Sequence, residues 1–429
     1  MPEIESTDIT RRGTTRIRIA AILTRSIPAK PGFGREKVLS EIRIALNKGF
    51  QVTEFRLHHA LELRLIGNFL GCAWQSILGV LTGRPIPLQS AIYAGADQIH
   101  RIVQAIEHGQ FEAVYVDSIR SQRLVRELRK RLPGIRIIVD FDDLMSRRSE
   151  QHLRARVPLS LGFLQSLLPK ILQRLIAGPF RILVTRYEAF SLHCAEAEIS
   201  EAADAIVLVS SAERDIFEKA TRGQRRAEIF AVAPPFSIQR KAVTVVEPYR
   251  FIFIGSDLLV QNRLSIDYLI RVWRDTAPKT PLHIFGKQQG VYPRIPNVNW
   301  HGFVDDLSDV YTPGSILALP ALIAGGVKTK VAEAWSYGCP VLGNSQAFEG
   351  YGIAEYPLDR PLDEWTPYIQ NPGSFLQTWI SAATIGHEFV KTTLDPEDFY
   401  AAWRLVLSPE NLSLARALPD GKQETPKCC

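Results

Sequence analysis

Short apolar runs rich in β-branched residues alternate with helix-like segments along most of the 429 residues. That alternation admits little besides parallel sheets joined by crossover helices. A first set of runs covers residues 18–23, 52–57, 113–117, 135–141, 205–210 and 229–232. A proline-containing stretch without strong periodicity, APPFSIQRKAVTVVEPY, comes next and reads as a linker. A second set then covers residues 251–255, 282–286, 298–300, 316–320 and 340–343. The expected class is α/β with two doubly wound parallel sheets and a boundary near residue 245. Residues 16–240 form one domain, 247–390 a second, 391–407 a helix returning to the first, and 408–429 a tail. Ligands of such sheets bind outside the carboxyl ends of the strands, which for a facing pair means the cleft between domains.

Charge narrows the class further. The net charge is only +6, yet residues 120–186 carry fifteen Lys or Arg against five Asp or Glu. This local excess reads either as solvated helix faces or as a surface for anionic lipid or a diphosphate-bearing acceptor. No nucleic-acid-binding module accompanies it, so nucleic acid is not an expected partner. The five cysteines, Cys72, Cys194, Cys339, Cys428 and Cys429, lack metal-ligand spacing and suit a reducing compartment. The opening MPEIESTDITRRG begins acidic, without the order of a signal peptide, and the expected location is cytoplasmic. Residues 65–83 run without a charge but contain four glycines and four polar side chains, favouring a buried or interfacial helix over a spanning one. Residues 159–183 mix leucines with Lys170, Arg174 and Arg181 and suit a membrane-surface helix or an ordinary amphipathic one.

The segment AGGVKTKVAEAWSYGCPVLGNSQAFEGYG, from Ala324 to Gly352, carries the most chemistry. Gly325 and Gly326 let the backbone approach a ligand closely, and a helix expected to start near Lys330 presents N–H groups suited to phosphate. Lys328 and Lys330 are unfavourable at a helix N-terminus on dipole grounds, so their presence asks for a bound anion. Glu333, expected in the first turn, is placed to accept hydrogen bonds from a ribose, or else simply satisfies the dipole.

Glu333-Ala334, Gly338-Cys339-Pro340-Val341 and Glu349-Gly350 together resemble the donor-site signature of retaining, family-four glycosyltransferases of the group 1 type. Phe253-Ile254-Gly255-Ser256 with Asn262, His283-Ile284-Phe285-Gly286, and His301-Gly302-Phe303-Val304 follow in the order of that family's C-terminal domain. Gly32 and Gly34 after the first run, and Lys48-Gly49-Phe50 entering the second, agree more loosely. The resemblance implies the GT-B fold, two Rossmann-like domains around an interdomain cleft, with the acceptor on the first domain. It also implies a nucleoside diphosphate sugar donor, a sugar or lipid-linked acceptor, no cofactor and no metal. Glu333 would then hold the ribose hydroxyls, and the backbone of Val327, Lys328 and Thr329 would face the diphosphate, with Gly255, Ser256, Asn262, Gly325, Gly326 and Lys330 completing the donor side.

The departures mark a divergent member. A glutamate common in the family falls at Gly325, and a common Arg–Lys pair falls at Ser256 and about Gln261. Lys328, with Lys330 second, is the expected replacement for the missing cations. Asp140-Phe141-Asp142 ends a strand, where a D-x-D pattern can hold a metal, cap the strand or face an acceptor hydroxyl. Asp142 is taken as the cleft-facing carboxylate, and Arg186 with Glu188 as a cleft-facing acceptor pair or a surface salt bridge. The alternative function is a catalytically silent sugar-nucleotide-binding or scaffold subunit of a polysaccharide assembly complex.

Overall fold

The computed structural model describes residues 17–27, 34–58, 74, 79–93, 95–155, 181–223, 225–239, 244–353 and 355–408. Six strands form the first sheet: β1 Arg18–Leu23, β2 Gln51–Arg56, β3 Ala113–Asp117, β4 Arg136–Asp142, β5 Ala205–Leu208 and β6 Glu228–Ala231. Five form the second: β7 Arg250–Ile254, β8 Leu282–Phe285, β9 Val298–Gly302, β10 Ser315–Leu319 and β11 Val341–Gly343. All pairings are parallel, in the orders β2-β1-β3-β4-β5-β6 and β11-β10-β7-β8-β9. The strand order reverses between β1 and β3 in one sheet and between β7 and β10 in the other. At such reversals the crossover helices leave a crevice at the carboxyl ends. β3, β5 and β10 are buried along their whole length, as expected of strands covered on both faces.

β5 stops at Leu208, short of the run read from sequence, because Ser210 caps the next helix, Ser211–Ala220. The Ser210 hydroxyl accepts the Glu213 N–H at 3.3 Å, which commits the backbone to turn. Gly350, at φ +96°, lies against this cap, and a Cβ there would meet Ser210 Oγ at 2.9 Å. The second domain thus approaches the first closely enough to require a glycine.

The last helix, Pro396–Leu407, packs on the first domain against the helix Gly34–Gly49. Asp395 caps it, accepting the Glu397 N–H at 2.8 Å, and Pro396 occupies its first turn. Trp403 is buried edge-on to Tyr115 at 5.6 Å, and Arg136 donates to the Val406 carbonyl at 2.9 Å. The chain therefore crosses between domains twice, and the Phe236 N–H donates to the Leu394 carbonyl at 2.9 Å where the crossings meet.

Part of the basic excess between residues 120 and 186 is spent internally. Arg126 pairs with Glu198, Arg129 with Asp204, Arg131 with Glu107, and Arg148 with Asp143. The acids come mostly from distant sequence, so a local count overstates the exposed positive charge. Most of residues 65–83 and of 159–183, together with Gly32 and the tail from residue 409, lie outside the described residues. Among the described residues, no helix is long and apolar enough to cross a membrane.

Trp403→Ala should destabilise the first domain by about 3–5 kcal/mol, the cost of emptying a large buried site. A matching fall in the urea midpoint checks it, and an unchanged midpoint would show that the helix does not dock in solution.

Candidate functional site

On the second domain the site is built around the β7–β10 reversal. Gly255 follows β7, and the turn Gly325–Gly326, at φ +109° and +61°, leads into the helix Thr329–Ser336. Lys328 is the residue before that helix, and its amine donates back to the Gly325 carbonyl. Lys330 reaches the other way. Its amine donates to Asn262 Oδ1 at 2.5 Å and lies 4.7 Å from the Phe253 ring centre. The missing side chain of Gly255 makes room for it, since a Cβ there would sit 2.7 Å from Lys330 Nζ. Asn262 in turn donates to the Ser256 carbonyl at 2.8 Å.

Both amines titrate low. Burial draws Lys330 down to about 7, with Glu333 opposing and Lys328 adding to the fall. Burial and the Arg148 guanidinium take Lys328 down to about 8, against the pull of Glu349 and Glu213. Two amines held below the ordinary range are cations whose charge is poorly compensated, the state an incoming anion relieves.

On the first domain a buried guanidinium organises the facing surface. Arg35, at the start of the helix Gly34–Gly49, donates to Asp140 at 2.6 Å, Asp117 at 2.9 Å and Asp142 at 3.2 Å. These carboxylates end β3 and β4 beside the β1–β3 reversal. Burial raises Asp117, but Arg35, Arg25 and the Thr24 hydroxyl outweigh it and hold the carboxyl at about 2. Burial wins at Asp140, whose carboxyl is raised despite Arg35. Tyr115 donates to Asp140 at 2.8 Å. Asp142, at φ +67°, remains a third exposed and is the open member of the group.

Several contacts cross between the domains. Lys37 pairs with Glu333 at 3.0 Å, and Arg147 pairs with Glu349. The Gly326 N–H donates across the boundary to Glu213 Oε1 at 3.1 Å, while within the second domain the Gly325 N–H donates to Glu349 Oε2 at 3.2 Å. A Cβ on Gly34 would lie 3.7 Å from Thr329 Oγ1.

The structure thus gathers Gly255, Ser256, Asn262, Gly325, Gly326, Val327, Lys328, Thr329, Lys330 and Glu333 along one edge, with Gly34 facing it and Asp142 tied to Arg35 beside Gly34. Two expectations need correction. The helix begins at Thr329, so Glu333 is its fifth residue and lies past the first turn, where satisfying the dipole explains little. Arg186 and Glu188 form no cleft pair: Arg186 is exposed, whereas Glu188 is fully buried and accepts the Leu88 N–H at 2.7 Å. Burial pushes the Glu188 carboxyl up to about 7. Residues two apart on a helix point to nearly opposite sides, so one of this pair meets the core and the other meets solvent. As for the D-x-D pattern, both carboxylates are engaged by Arg35, which the sequence reading passed over although it directly follows Gly34. Lys37, Asp117, Arg147 and Glu213 were also missed; the Ser210-x-x-Glu213 cap was the one local signal for the last.

Two facing doubly wound domains with ligand-side loops at both reversals define the GT-B fold. Residues 248–356 match the family model described as glycosyl transferases group 1, so the chain carries that domain. No curated protein matches the chain by sequence. Among solved structures, sucrose-phosphate synthase from Thermosynechococcus elongatus is similar at a TM-score of 0.62 and 13% identity, over 93% of this chain and all of the other. HepE from Anabaena, solved with UDP-glucose, gives 0.56 and 14% over 93% and 100%. The lipopolysaccharide outer core galactosyltransferase WaaB gives 0.54 and 14% over 93% and 99%. The matched domain is a glycosyltransferase one, and the fold of the chain is the one these structures share.

The low Lys330 value carries a stability consequence. Its amine binds a proton less tightly when folded, at about 7, than at the ordinary lysine value of 10.5. Its contribution to stability is therefore complete above about 10.5 and is lost as pH falls toward 7. Lys330→Met should raise the urea midpoint over wild type at pH 7, with the difference shrinking by pH 10. A difference independent of pH would show that the amine titrates normally.

Proposed function

We propose that the protein transfers a sugar from a nucleoside diphosphate sugar to an acceptor by a retaining mechanism that needs no metal. The observation carrying this reading is the convergence of Glu333 with two undercompensated lysines at the second reversal, facing the Arg35 carboxylate cluster. Glu333 accepts the ribose hydroxyls. Lys330, lodged beside Gly255 and Asn262, supplies the charge that Ser256 and Gln261 lack, and Lys328 supplies a second charge nearer the turn. Together with the backbone N–H groups they stabilise the departing diphosphate, whose negative charge grows in the transition state. Asp142, the open carboxylate of the facing cluster, receives the acceptor hydroxyl. HepE bound to UDP-glucose supports a sugar-nucleotide donor by likeness of fold.

The acceptor is a growing glycan or glycolipid, and the protein works at the inner membrane face. Supporting this, Ile182, Leu183 and Phe190 are exposed on the helix Arg181–Ala202, and Leu81 is exposed elsewhere on the same domain. Exposed apolar side chains beside basic ones suit an anionic interface.

Lys328→Ala and Lys330→Ala should each lower turnover by about 10²–10³, the loss typical of removing one stabiliser of developing charge. Glu333→Gln should weaken nucleoside diphosphate binding by about 1.5–3 kcal/mol in calorimetric titration. Wild-type turnover and affinity in all three would place the donor elsewhere, and binding without any turnover would favour a silent scaffold. For the membrane, the protein should float with anionic vesicles and be released by salt. Absence from both anionic and neutral vesicles would remove that part of the reading.

A further inference from the structure

The Gly325–Gly326 turn is met from the opposite domain by a carboxylate. Glu213, in the first turn of the helix Ser211–Ala220, is fully buried and extends across the domain boundary to the Gly326 N–H. Among the described residues its second oxygen accepts a single long bond, from the Leu144 N–H at 3.4 Å. A Cβ added to Gly325 would stand 3.5 Å from Glu213 Oε1, so the acid fills the space into which a side chain at 325 would grow. Two further charges close the same space. Glu349 takes the Gly325 N–H, and Arg147 pairs with Glu349 while its Nη1, 3.7 Å from Glu213, has no hydrogen-bond partner among the described residues. A buried guanidinium nitrogen lacking an acceptor beside a carboxylate with spare capacity is matched by a group that both donates and accepts. A sugar hydroxyl is such a group.

The order along the cleft says which part of a donor reaches this point. From Glu333 the polar groups run through the Lys330 amine to the Lys328 amine, which is bonded to the Gly325 carbonyl. A nucleoside diphosphate sugar laid with its ribose at Glu333 and its phosphates at the lysines brings its sugar to the turn. Resting on that donor reading, we propose that Glu213, carried by the first domain, reads the hydroxyls of the donor sugar, with Arg147 and Glu349 completing the pocket. Gly325, whose φ of +109° disfavours any side chain, brings no carboxylate of its own, and the acid comes from across the cleft. Sugar recognition then depends on both domains, and a nucleotide without its sugar engages the second domain alone.

Calorimetric titration with UDP, GDP, ADP and dTDP, and with their hexose conjugates, tests this. Glu213→Gln keeps the size of the side chain and an acceptor for the Gly326 N–H. It should bind the free nucleoside diphosphate as wild type does and bind the conjugate about ten- to a hundredfold more weakly, the loss of a hydrogen bond to a charged group. Arg147→Lys, at a partly exposed position, should show the same sugar-specific loss and serves if the first variant fails to fold. Equal weakening of nucleotide and conjugate makes the cluster an interdomain latch and overturns the assignment, as does an unchanged affinity for both. If wild type binds no nucleotide of the panel, the donor reading fails and this one with it. If wild type binds and the variants are unaffected, only this one fails.

Discussion

The geometry of the cleft rests on one buried guanidinium. Arg35 could not be held out of water by a single carboxylate without a large desolvation penalty, and three acids share the task. In bonding to all three it ties the start of the helix Gly34–Gly49 to the ends of β3 and β4. That tie sets where Gly34 meets Thr329 and where Lys37 meets Glu333. Removing any one acid would unbalance the others, because Asp117 and Asp140 have almost no contact with solvent. The facing surface of the first domain is therefore a tied polar floor, and of its three acids Asp142 alone stays partly exposed.

Against that floor the second domain presents cations that are not fully answered. Lys330 has an amide oxygen and an aromatic face for company, and Lys328 a carbonyl. None of these is an anion, so the proteins's own structure leaves a deficit of negative charge where a diphosphate is proposed to sit. The acids that could have filled it, Glu213 and Glu349, are engaged instead by the N–H groups of the glycine turn and by Arg147. Cation and anion subsites are thus kept apart over a few residues of one loop.

The fold was legible because its signal is local and repeated: each strand is a short β-branched run, and eleven of them in two groups leave few alternatives. The donor edge was legible for a similar reason, since Gly325 to Glu333 is one continuous stretch. What the sequence hid is everything made by crossing. Arg35 meets acids 82 to 107 positions away, and Glu213 meets a glycine 113 positions away. Such pairs have no spacing to read. Glu188 was misjudged for the opposite reason: its neighbours in sequence suggested a site, while burial against the Leu88 N–H decided its role.

The return of the chain to its first domain has a mechanical meaning. Two separate strands of backbone span the gap between the domains, and they are bonded to each other where Phe236 meets Leu394. A single tether would let one domain swivel freely about the other. Two tethers pinned together restrict the pair to bending about an axis through the pin, as a door turns on its hinge. Sliding of one cleft lip past the other is thereby opposed more strongly than their parting.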